Sequence, residues 1–338
     1  VFFWSMGQSW GAMVIDAAGV GEAVFPAPPP GYTEKSKGLV WITTEGGIRV
    51  PSMLIRPQGG SHRCLVYLHA NAEDIGHAFP DCSLLAAELD CLVLAPEYPG
   101  YGIFHGYSCT PEGMNAVAVA GHRYALEVLN VPEENVCIFG RSIGTGPACV
   151  AAHSAAERGA TVGGLILFAP FFSMTRAASA LAGSLAGELM PQWWDNGAVL
   201  GDEQAVDIPL LVIHGGQDDV IPCDQGRNLF RVAKCLRKLA YFPPDMDHNA
   251  GTSPRILAAI RRFWSAPTLA TPKVVVDVEE SVERSRPPEE IVARWRSSRK
   301  PKLAGSRAQT APVLELTPET GSACAGADTG DRQRLCWS

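Results

Sequence analysis

Five short apolar runs, each followed by a stretch of helical length, constrain the fold of this chain more than any other feature. The runs are continuous rather than alternating, which is typical of parallel strands that helices cover on both faces. They span residues 64–68, 91–95, 136–139, 165–168 and 210–213. The pattern predicts an α/β fold with a doubly wound, mostly parallel sheet and helices on both faces.

The remaining elements follow from local signals. The segment Glu45-Gly46-Gly47 predicts a turn that joins two antiparallel strands, at 39–44 and 48–55. A further strand is predicted at 238–242. Helical periodicity predicts five helices, at 73–88, 111–129, 143–158, 225–236 and 254–264.

Composition divides the chain into three parts. Residues 1–37 hold an apolar N-terminal stretch and a Pro-rich lead-in, and residues 38–265 hold the predicted domain, with its core beginning near Gly38. Residues 266–338 are polar, Pro-rich and charged, which predicts a disordered tail. The long connection between the strands at 165–168 and 210–213 predicts a helical cap near 172–200, with a plain crossover helix as the alternative.

Charge and cysteine usage exclude several classes of protein. The 338 residues carry a formal net charge of -7, which argues against nucleic-acid binding. The 10 cysteines form no zinc-ligand spacing, so we expect no metal and reduced thiols in a cytoplasmic protein. Polar residues interrupt the apolar start, so it predicts no membrane-spanning helix, and peripheral membrane contact stays open.

The strongest chemical signal is Gly140-Arg141-Ser142-Ile143-Gly144. It follows a predicted strand and opens a predicted helix, which is the context of a nucleophile elbow. Glycine at the flanking positions avoids collisions at a sharp turn, so Ser142 is predicted to project above the sheet as a nucleophile. The alternative is a Gly-rich turn whose serine caps the next helix.

A serine nucleophile needs a histidine base that a carboxylate orients. Asp218 follows the strand at 210–213, and His248 lies in a loop thirty residues later. Catalytic groups of open α/β sheets gather at the carboxyl ends of strands. We therefore predict Asp218 and His248 as the partners of Ser142, with Asp219 in reserve for Asp218. His69 and His214 are expected to organise their loops.

Two backbone donors are needed for the oxyanion of the tetrahedral intermediate. The amide of Ile143 directly follows the nucleophile, and the amide of Asn71 lies in the loop after the strand at 64–68. Both are predicted donors. The chain lacks the phosphate-binding and dinucleotide-binding spacings, so no cofactor is predicted.

These residues resemble the α/β-hydrolase domain-containing protein 17 family of protein depalmitoylases, over roughly two-thirds of the chain. The matching segments are His69-Ala70-Asn71-Ala72-Glu73-Asp74, Glu97-Tyr98-Pro99-Gly100-Tyr101-Gly102, Gly140-Arg141-Ser142-Ile143-Gly144-Thr145 and His214-Gly215-Gly216-Gln217-Asp218. The resemblance implies the α/β-hydrolase fold and triad roles for Ser142, Asp218 and His248.

The sequence departs from that family at two points. Ala70 stands where the family has glycine, and a positive φ there would cost about 1 to 2 kcal/mol. The first cysteine is Cys64, whereas the depalmitoylases use an acylated N-terminal cysteine cluster to reach membranes. This second departure weakens the expectation of an S-acylated protein substrate.

The sequence predicts a serine hydrolase that cleaves acyl esters or thioesters through an acyl-enzyme. Its expected partner is an acyl-bearing substrate, with an S-acylated protein as one case. Two alternatives stay open, a serine peptidase of the aminopeptidase-like type and a scaffold that keeps the fold without the chemistry.

Overall fold

A single sheet runs through the residues that the computed structural model describes, 24–160, 162–265 and 273–275. Within these ranges it has nine strands: β1 Leu39–Thr43, β2 Arg49–Ile55, β3 Cys64–Leu68, β4 Leu92–Pro96, β5 Val136–Arg141, β6 Gly164–Phe168, β7 Leu210–Ile213, β8 Lys238–Tyr241 and β9 Lys273–Val275. The described residues belong to one compact unit.

The strand order reverses its direction in the middle of the sheet. The order is β1-β2-β4-β3-β5-β6-β7-β8-β9, with β1 and β2 antiparallel to their neighbours and all later pairs parallel. The chain leaves β3 towards β4 on one side and continues from β5 on the other. Ligands of such sheets bind beyond the carboxyl ends of the strands at this reversal. Leu68 pairs with Gly140 there, so the loops after β3 and β5 begin side by side.

Eight helices connect the strands of the described ranges. They are α1 Ile75–Leu89, α2 Pro111–Glu127, α3 Thr145–Glu157, α4 Met174–Ala182, α5 Ser184–Leu189, α6 Asn196–Leu200, α7 Cys223–Val232 and α8 Pro254–Ser265. Polar side chains cap several of their starts. The carboxylate of Asp74 accepts the His77 N–H at α1, and the hydroxyl of Thr110 accepts the Gly113 N–H at α2. Such caps satisfy donors that have no partner inside the helix.

The core explains why the central strands are continuously apolar. Alternate residues of one strand enter two different hydrophobic clusters, because successive side chains of a strand point to opposite faces. In β6, Leu165 and Leu167 belong to one cluster, whereas Ile166 and Phe168 belong to the other. Each cluster is covered by helices, so the predicted doubly wound α/β sheet is confirmed.

The structure differs from the sequence prediction at both ends of the domain. Phe25 and Tyr32 are buried, at 4% and 5% exposed, so packed residues occur well before Gly38. Lys273–Val275, a short strand that the sequence did not predict, pairs in parallel with β8. The rest of the predicted disordered tail and residues 1–23 lie outside the described ranges. Between β6 and β7, where a cap was predicted near 172–200, the chain forms the short helices α4, α5 and α6.

Candidate active site

The turn after β5 is built around Ser142. Its φ is +52°, in the left-handed region that costs a residue with a side chain about 1 to 2 kcal/mol. A Cβ on Gly140 would lie 2.5 Å from the carbonyl oxygen of Gly144. A Cβ on Gly144 would overlap the carbonyl oxygen of Leu68 at the end of β3. Both glycines are therefore needed for the close approach that presents Ser142 at the edge of the sheet.

The structure brings Ser142, His248 and Asp218 together. The Oγ of Ser142 lies 3.0 Å from Nε2 of His248, and Nδ1 of His248 lies 2.8 Å from Oδ2 of Asp218. A carboxylate only accepts hydrogen bonds, so Nδ1 of His248 carries the proton. In the neutral ring Nε2 is then free to accept the Ser142 hydroxyl. Asp219, the reserve candidate, is exposed.

Asp218 is held by four donors in a buried position. Oδ1 accepts the backbone N–H groups of Val220 and Ile221, at 3.0 and 2.7 Å. Oδ2 lies within reach of Nδ1 of His248 and, at 3.1 Å, Nε2 of His214. Burial by itself raises the pKa of the Asp218 carboxyl, but the contacts with His214 and His248 outweigh it and lower the pKa below its ordinary value. The carboxyl is therefore ionised at neutral pH.

Replacement of Asp218 with asparagine is expected to lower the free energy of unfolding in a pH-dependent way. Because the folded-state pKa is lowered, the ionised carboxyl stabilises the fold fully above its unfolded value of about 3.9. That stabilisation is lost as the pH falls from there towards the folded value. Urea unfolding from about pH 7 to about pH 3 should show the difference between wild type and variant shrinking with acidity.

The exposed neighbour gives a matched control for this experiment. Asp219→Asn removes one carboxylate from the same loop without removing a buried contact. It should leave the stability profile close to that of the wild type. Equal losses for both variants at every pH would contradict the role of the Asp218 contacts.

The predicted oxyanion donors lie on adjoining loops. The N–H of Ile143 is in the first turn of the short 3₁₀ helix Ser142–Gly144, where backbone donors have no partner inside the helix. Gly144 packs against the backbone of Leu68 and His69, so the loop that leads to Asn71 starts against the elbow. Within the described ranges the backbone N–H of Asn71 has no acceptor. Among the described residues the Asn71 N–H is thus left without a partner, and the Ile143 N–H lies one residue beyond Ser142.

The side chain of Asn71 fixes its own loop. Its Nδ2 donates to the carbonyl oxygen of Val24 at 2.7 Å, and its Oδ1 accepts the hydroxyl of Tyr101 at 2.9 Å. The strain expected at Ala70 does not arise, because the alanine of this loop with positive φ is Ala72, at +57°. The N–H of Ala70 donates to Oε1 of Glu73 at 2.9 Å. Alanine is therefore accommodated at position 70.

A buried contact between a histidine and a carboxylate lies behind the same loop and was not predicted from the sequence. Nε2 of His69 lies 2.9 Å from Oε1 of Glu97, and both side chains are fully buried. Nδ1 of His69 lies 3.0 Å from the carbonyl oxygen of Ala70, so both ring nitrogens face acceptors. Burial lowers the pKa of His69, but the contact with Glu97 outweighs it, and the pKa is raised. The pair ties the end of β3 to the residue that follows β4.

Arg141 connects the turn that carries Ser142 to the loop that carries His248. Its guanidinium donates to the carbonyl oxygen of Ala250 and to Asp81, at 3.4 Å each, and lies over the ring of Phe168. Ala250 is two residues beyond His248 on the same loop. The residue inside the motif next to the serine therefore supports the loop that carries the histidine.

An aromatic cluster joins the N-terminal segment to the connection between β6 and β7. Phe25 stacks on Trp193 with ring centroids 5.3 Å apart and meets Trp194 edge-on at 6.2 Å. Trp194 also packs against Gly146 at the start of α3, where a Cβ would lie 2.5 Å from its ring. The segment at Phe25 and the connection thus pack together near the start of α3, which follows the turn at Ser142.

Comparison with known proteins finds relatives that include α/β-hydrolase domain-containing proteins. No protein-family model matches the chain. The human protein ABHD12B is 29% identical over 222 residues, 60% of this chain and 60% of that protein. The alpha/beta hydrolase domain-containing proteins aho-3 of Caenorhabditis elegans and 17B of Homo sapiens are 29% and 28% identical, over 60% and 61% of this chain and 57% and 68% of their own lengths. The match thus spans about three-fifths of the first relatives' lengths.

Solved structures agree with these names at the level of the fold. An esterase of Pyrococcus furiosus matches with a TM-score of 0.51 at 16% identity, over 80% of this chain and 98% of that one. The esterase Est1E of Butyrivibrio proteoclasticus, solved with ferulic acid bound, matches with a TM-score of 0.52 at 16% identity, over 66% and 97%. The chain has the α/β-hydrolase fold. The curated relatives confirm the resemblance to α/β-hydrolase domain-containing proteins that the sequence motifs predicted.

In this α/β-hydrolase fold the sequence-predicted residues meet at one edge of the sheet. Ser142 and Asp218 each contact His248, and Ile143 and Asn71 lie on adjoining loops. Sequence reasoning left the contacts of His69 and His214 undefined, although each directly follows a strand, at the edge where site residues gather. The described residues hold no group of three or more potential metal ligands, and no described helix is long and apolar enough to cross a membrane.

Proposed function

We propose that the protein is a serine hydrolase of acyl esters or thioesters, with Ser142 as nucleophile, His248 as general base and Asp218 as the residue that orients the histidine. One observation carries the proposal. Ser142 Oγ lies 3.0 Å from His248 Nε2, and His248 Nδ1 lies 2.8 Å from a buried, ionised Asp218. Both distances are within the range that proton transfer requires.

The reaction has two halves. In the first, His248 takes the proton of Ser142 while Oγ attacks the acyl carbonyl carbon, and the imidazolium then protonates the leaving alcohol or thiol. In the second, His248 deprotonates a water molecule that attacks the acyl-enzyme, which releases the acid and restores the Ser142 hydroxyl. Asp218 stays ionised throughout and stabilises the imidazolium.

The negative oxygen of each tetrahedral intermediate is assigned to the backbone N–H groups of Ile143 and Asn71. Each such donor is worth about 2.7 to 4 kcal/mol in a comparable protease. The Asn71 side-chain bonds to Val24 and Tyr101 support this assignment, because they hold its loop in one position before substrate binds. Such preorganisation is what makes an oxyanion site effective.

We infer further that the substrate class includes S-acylated proteins, so that the protein acts as a depalmitoylase. The resemblance of its motifs to the α/β-hydrolase domain-containing protein 17 family supports this, as does the 28% identity to the human 17B protein. We also propose a cytoplasmic location with peripheral membrane contact. The exposed Leu185 and Leu189 of α5 support such contact, and sedimentation with phosphatidylcholine vesicles tests it.

A matched series of substrates tests the reaction class. With the same palmitoyl group on a thioester, an ester and an amide, we expect turnover of the first two. The kcat/KM for the thioester should exceed that for the amide by about 100-fold, which is about 2.7 kcal/mol in activation free energy. Varying the acyl chain from two to sixteen carbons then defines the chain-length preference.

The same series separates the alternatives. A preference for aminoacyl amides over acyl thioesters would favour the serine peptidase. Absence of turnover on every substrate, together with no reaction of the folded protein with a fluorophosphonate probe, would favour a scaffold without catalytic activity. Turnover that survives in Ser142→Ala would reject the proposed nucleophile.

A further inference from the structure

His214 is a buried titratable side chain that the proposed reaction does not use. It directly follows β7, and its side chain is fully buried. Its Nε2 lies 2.8 Å from the carbonyl oxygen of Ile221 and 3.1 Å from Oδ2 of Asp218. Neither the carbonyl nor the ionised carboxylate can donate, so Nε2 of His214 carries a proton that both acceptors share.

Among the described residues, the other ring nitrogen of His214, Nδ1, has no acceptor for a second proton. Within the described ranges its Nδ1 is buried without a hydrogen-bond partner. A Cβ on Gly226 of α7 would lie 2.5 Å from that atom, so α7 closes over the ring. A protonated Nδ1 would be an unsatisfied buried donor, which is costly. The geometry thus gives a neutral imidazole with its single N–H directed at Asp218 and Ile221.

Asp218 Oδ2 therefore faces two histidines. His248 approaches it from the loop before α8 and His214 from the end of β7, while Oδ1 is occupied by two backbone donors. We propose that His214 is a positioning residue, whose N–H locks the Asp218 carboxylate in the orientation that His248 requires and withdraws part of its charge. The proposal deepens the proposed function and rests on it for its kinetic consequences.

Two measurable consequences follow from the loss of that donor. The carboxylate loses one of its four restraints, so His248 is held less precisely and kcat falls, by about 10- to 100-fold for a displacement of the order of 1 Å. Oδ2 then directs its full charge at His248, so the loss of activity on acidification should begin at a higher pH than in the wild type. The KM should stay unchanged, because the buried His214 side chain has no surface to offer a substrate.

Few other titratable groups among the described residues lie near Asp218. Besides His214 and His248, Cys223 of α7 is near enough to interact, and burial raises the pKa of its thiol. The thiol is therefore uncharged at neutral pH and adds no charge beside Asp218. A change in the His248 titration after replacement of His214 reports on the Asp218 contact.

The test compares two variants of similar size. In His214→Gln the side-chain amide reaches the position of Nε2 and keeps the donor, whereas His214→Leu fills the space without one. We expect Leu to lower kcat and move the acidic limb of the kcat/KM profile to higher pH, and Gln to restore both. His122→Leu, which removes another buried histidine, from α2, is the control for general effects on the core.

Titration of His248 by NMR, with its imidazole nitrogens labelled, gives the same answer without any substrate. The proposal is overturned if a His214→Leu variant that is folded by circular dichroism titrates as the wild type does, because only the glutamine variant is expected to do so. If His214→Leu does not fold, His214→Asn replaces it, because its shorter amide cannot reach Oδ2. Shifted titration in a protein that hydrolyses no acyl substrate would refute the proposed function and leave the positioning contact standing.

Discussion

Ser142→Ala is expected to abolish reaction with fluorophosphonate probes and to lower acyl-ester and thioester hydrolysis by about 10⁴- to 10⁶-fold. The substitution removes only Oγ, the atom 3.0 Å from Nε2 of His248. No other described residue presents an oxygen to that nitrogen. Covalent catalysis at this site is then lost, and what remains is the binding and polarisation of the substrate.

The fold of this variant should be unchanged. Alanine has the same Cβ as serine, so the cost of the +52° φ at position 142 is the same in both proteins. The carbonyl oxygen of residue 142, which accepts the hydroxyl of Thr145 at 2.6 Å, is also retained. Circular dichroism and urea unfolding should therefore match the wild type, which separates loss of chemistry from loss of structure.

A second serine provides the control. The Ser83 hydroxyl has no hydrogen-bond partner among the described residues, so Ser83→Ala should keep full labelling and turnover. Mass spectrometry of the labelled wild type should place the probe on the peptide that contains Ser142. Labelling that persists in Ser142→Ala would show that another residue is the nucleophile.

Gly144→Ala should reduce activity by about 100-fold while leaving a folded protein. The φ of Gly144 is one that alanine adopts, so the effect is steric alone. The added Cβ would overlap the backbone of Leu68 and lie 2.8 Å from the carbonyl oxygen of His69. Backbone atoms of a central strand cannot move aside like a side chain, so the nucleophile turn must shift away from β3.

That shift separates the two proposed oxyanion donors. Ile143 moves with the turn, whereas Asn71 stays with the loop after β3, held by Val24 and Tyr101. We expect overpacking to lower the free energy of unfolding by about 1 to 3 kcal/mol. Titration with the fluorophosphonate probe measures the fraction of protein molecules that can react. The rate of labelling, measured under conditions where the variant is fully folded, measures the reactivity of Ser142.

Gly59→Ala is the matched control, because a Cβ at position 59 would have no atom within 4 Å. It should have wild-type stability and labelling rate. A Gly144→Ala protein that labels at the wild-type rate would show that the close approach of the elbow to β3 is not required for the chemistry.

The sequence predicted the central strands well, because their continuous apolar pattern has a single physical cause. Burial on both faces requires a strand without alternation, so the runs at 64–68, 136–139 and 210–213 located β3, β5 and β7. The edge strand β9 was not predicted, because a run of three residues is too short to show a periodic pattern. The burial of Phe25 and Tyr32 was not predicted, because it depends on contacts with residues far along the chain.

The same distinction applies to the site. The sequence could predict two features of the site. A sharp turn between a strand and a helix requires the glycines at 140 and 144, and the α/β-hydrolase topology has the order serine, aspartate, histidine, which Ser142, Asp218 and His248 follow. The sequence could not determine that Oδ2 of Asp218 is shared by His214 and His248, or that His69 pairs with Glu97. Those contacts join residues whose separation in space is set by the packing of whole strands and helices. The sequence alone therefore determined which residues are available for chemistry, and the tertiary structure decided their distances and burial, because hydrogen bonds and pKa values depend on the three-dimensional surroundings of each atom.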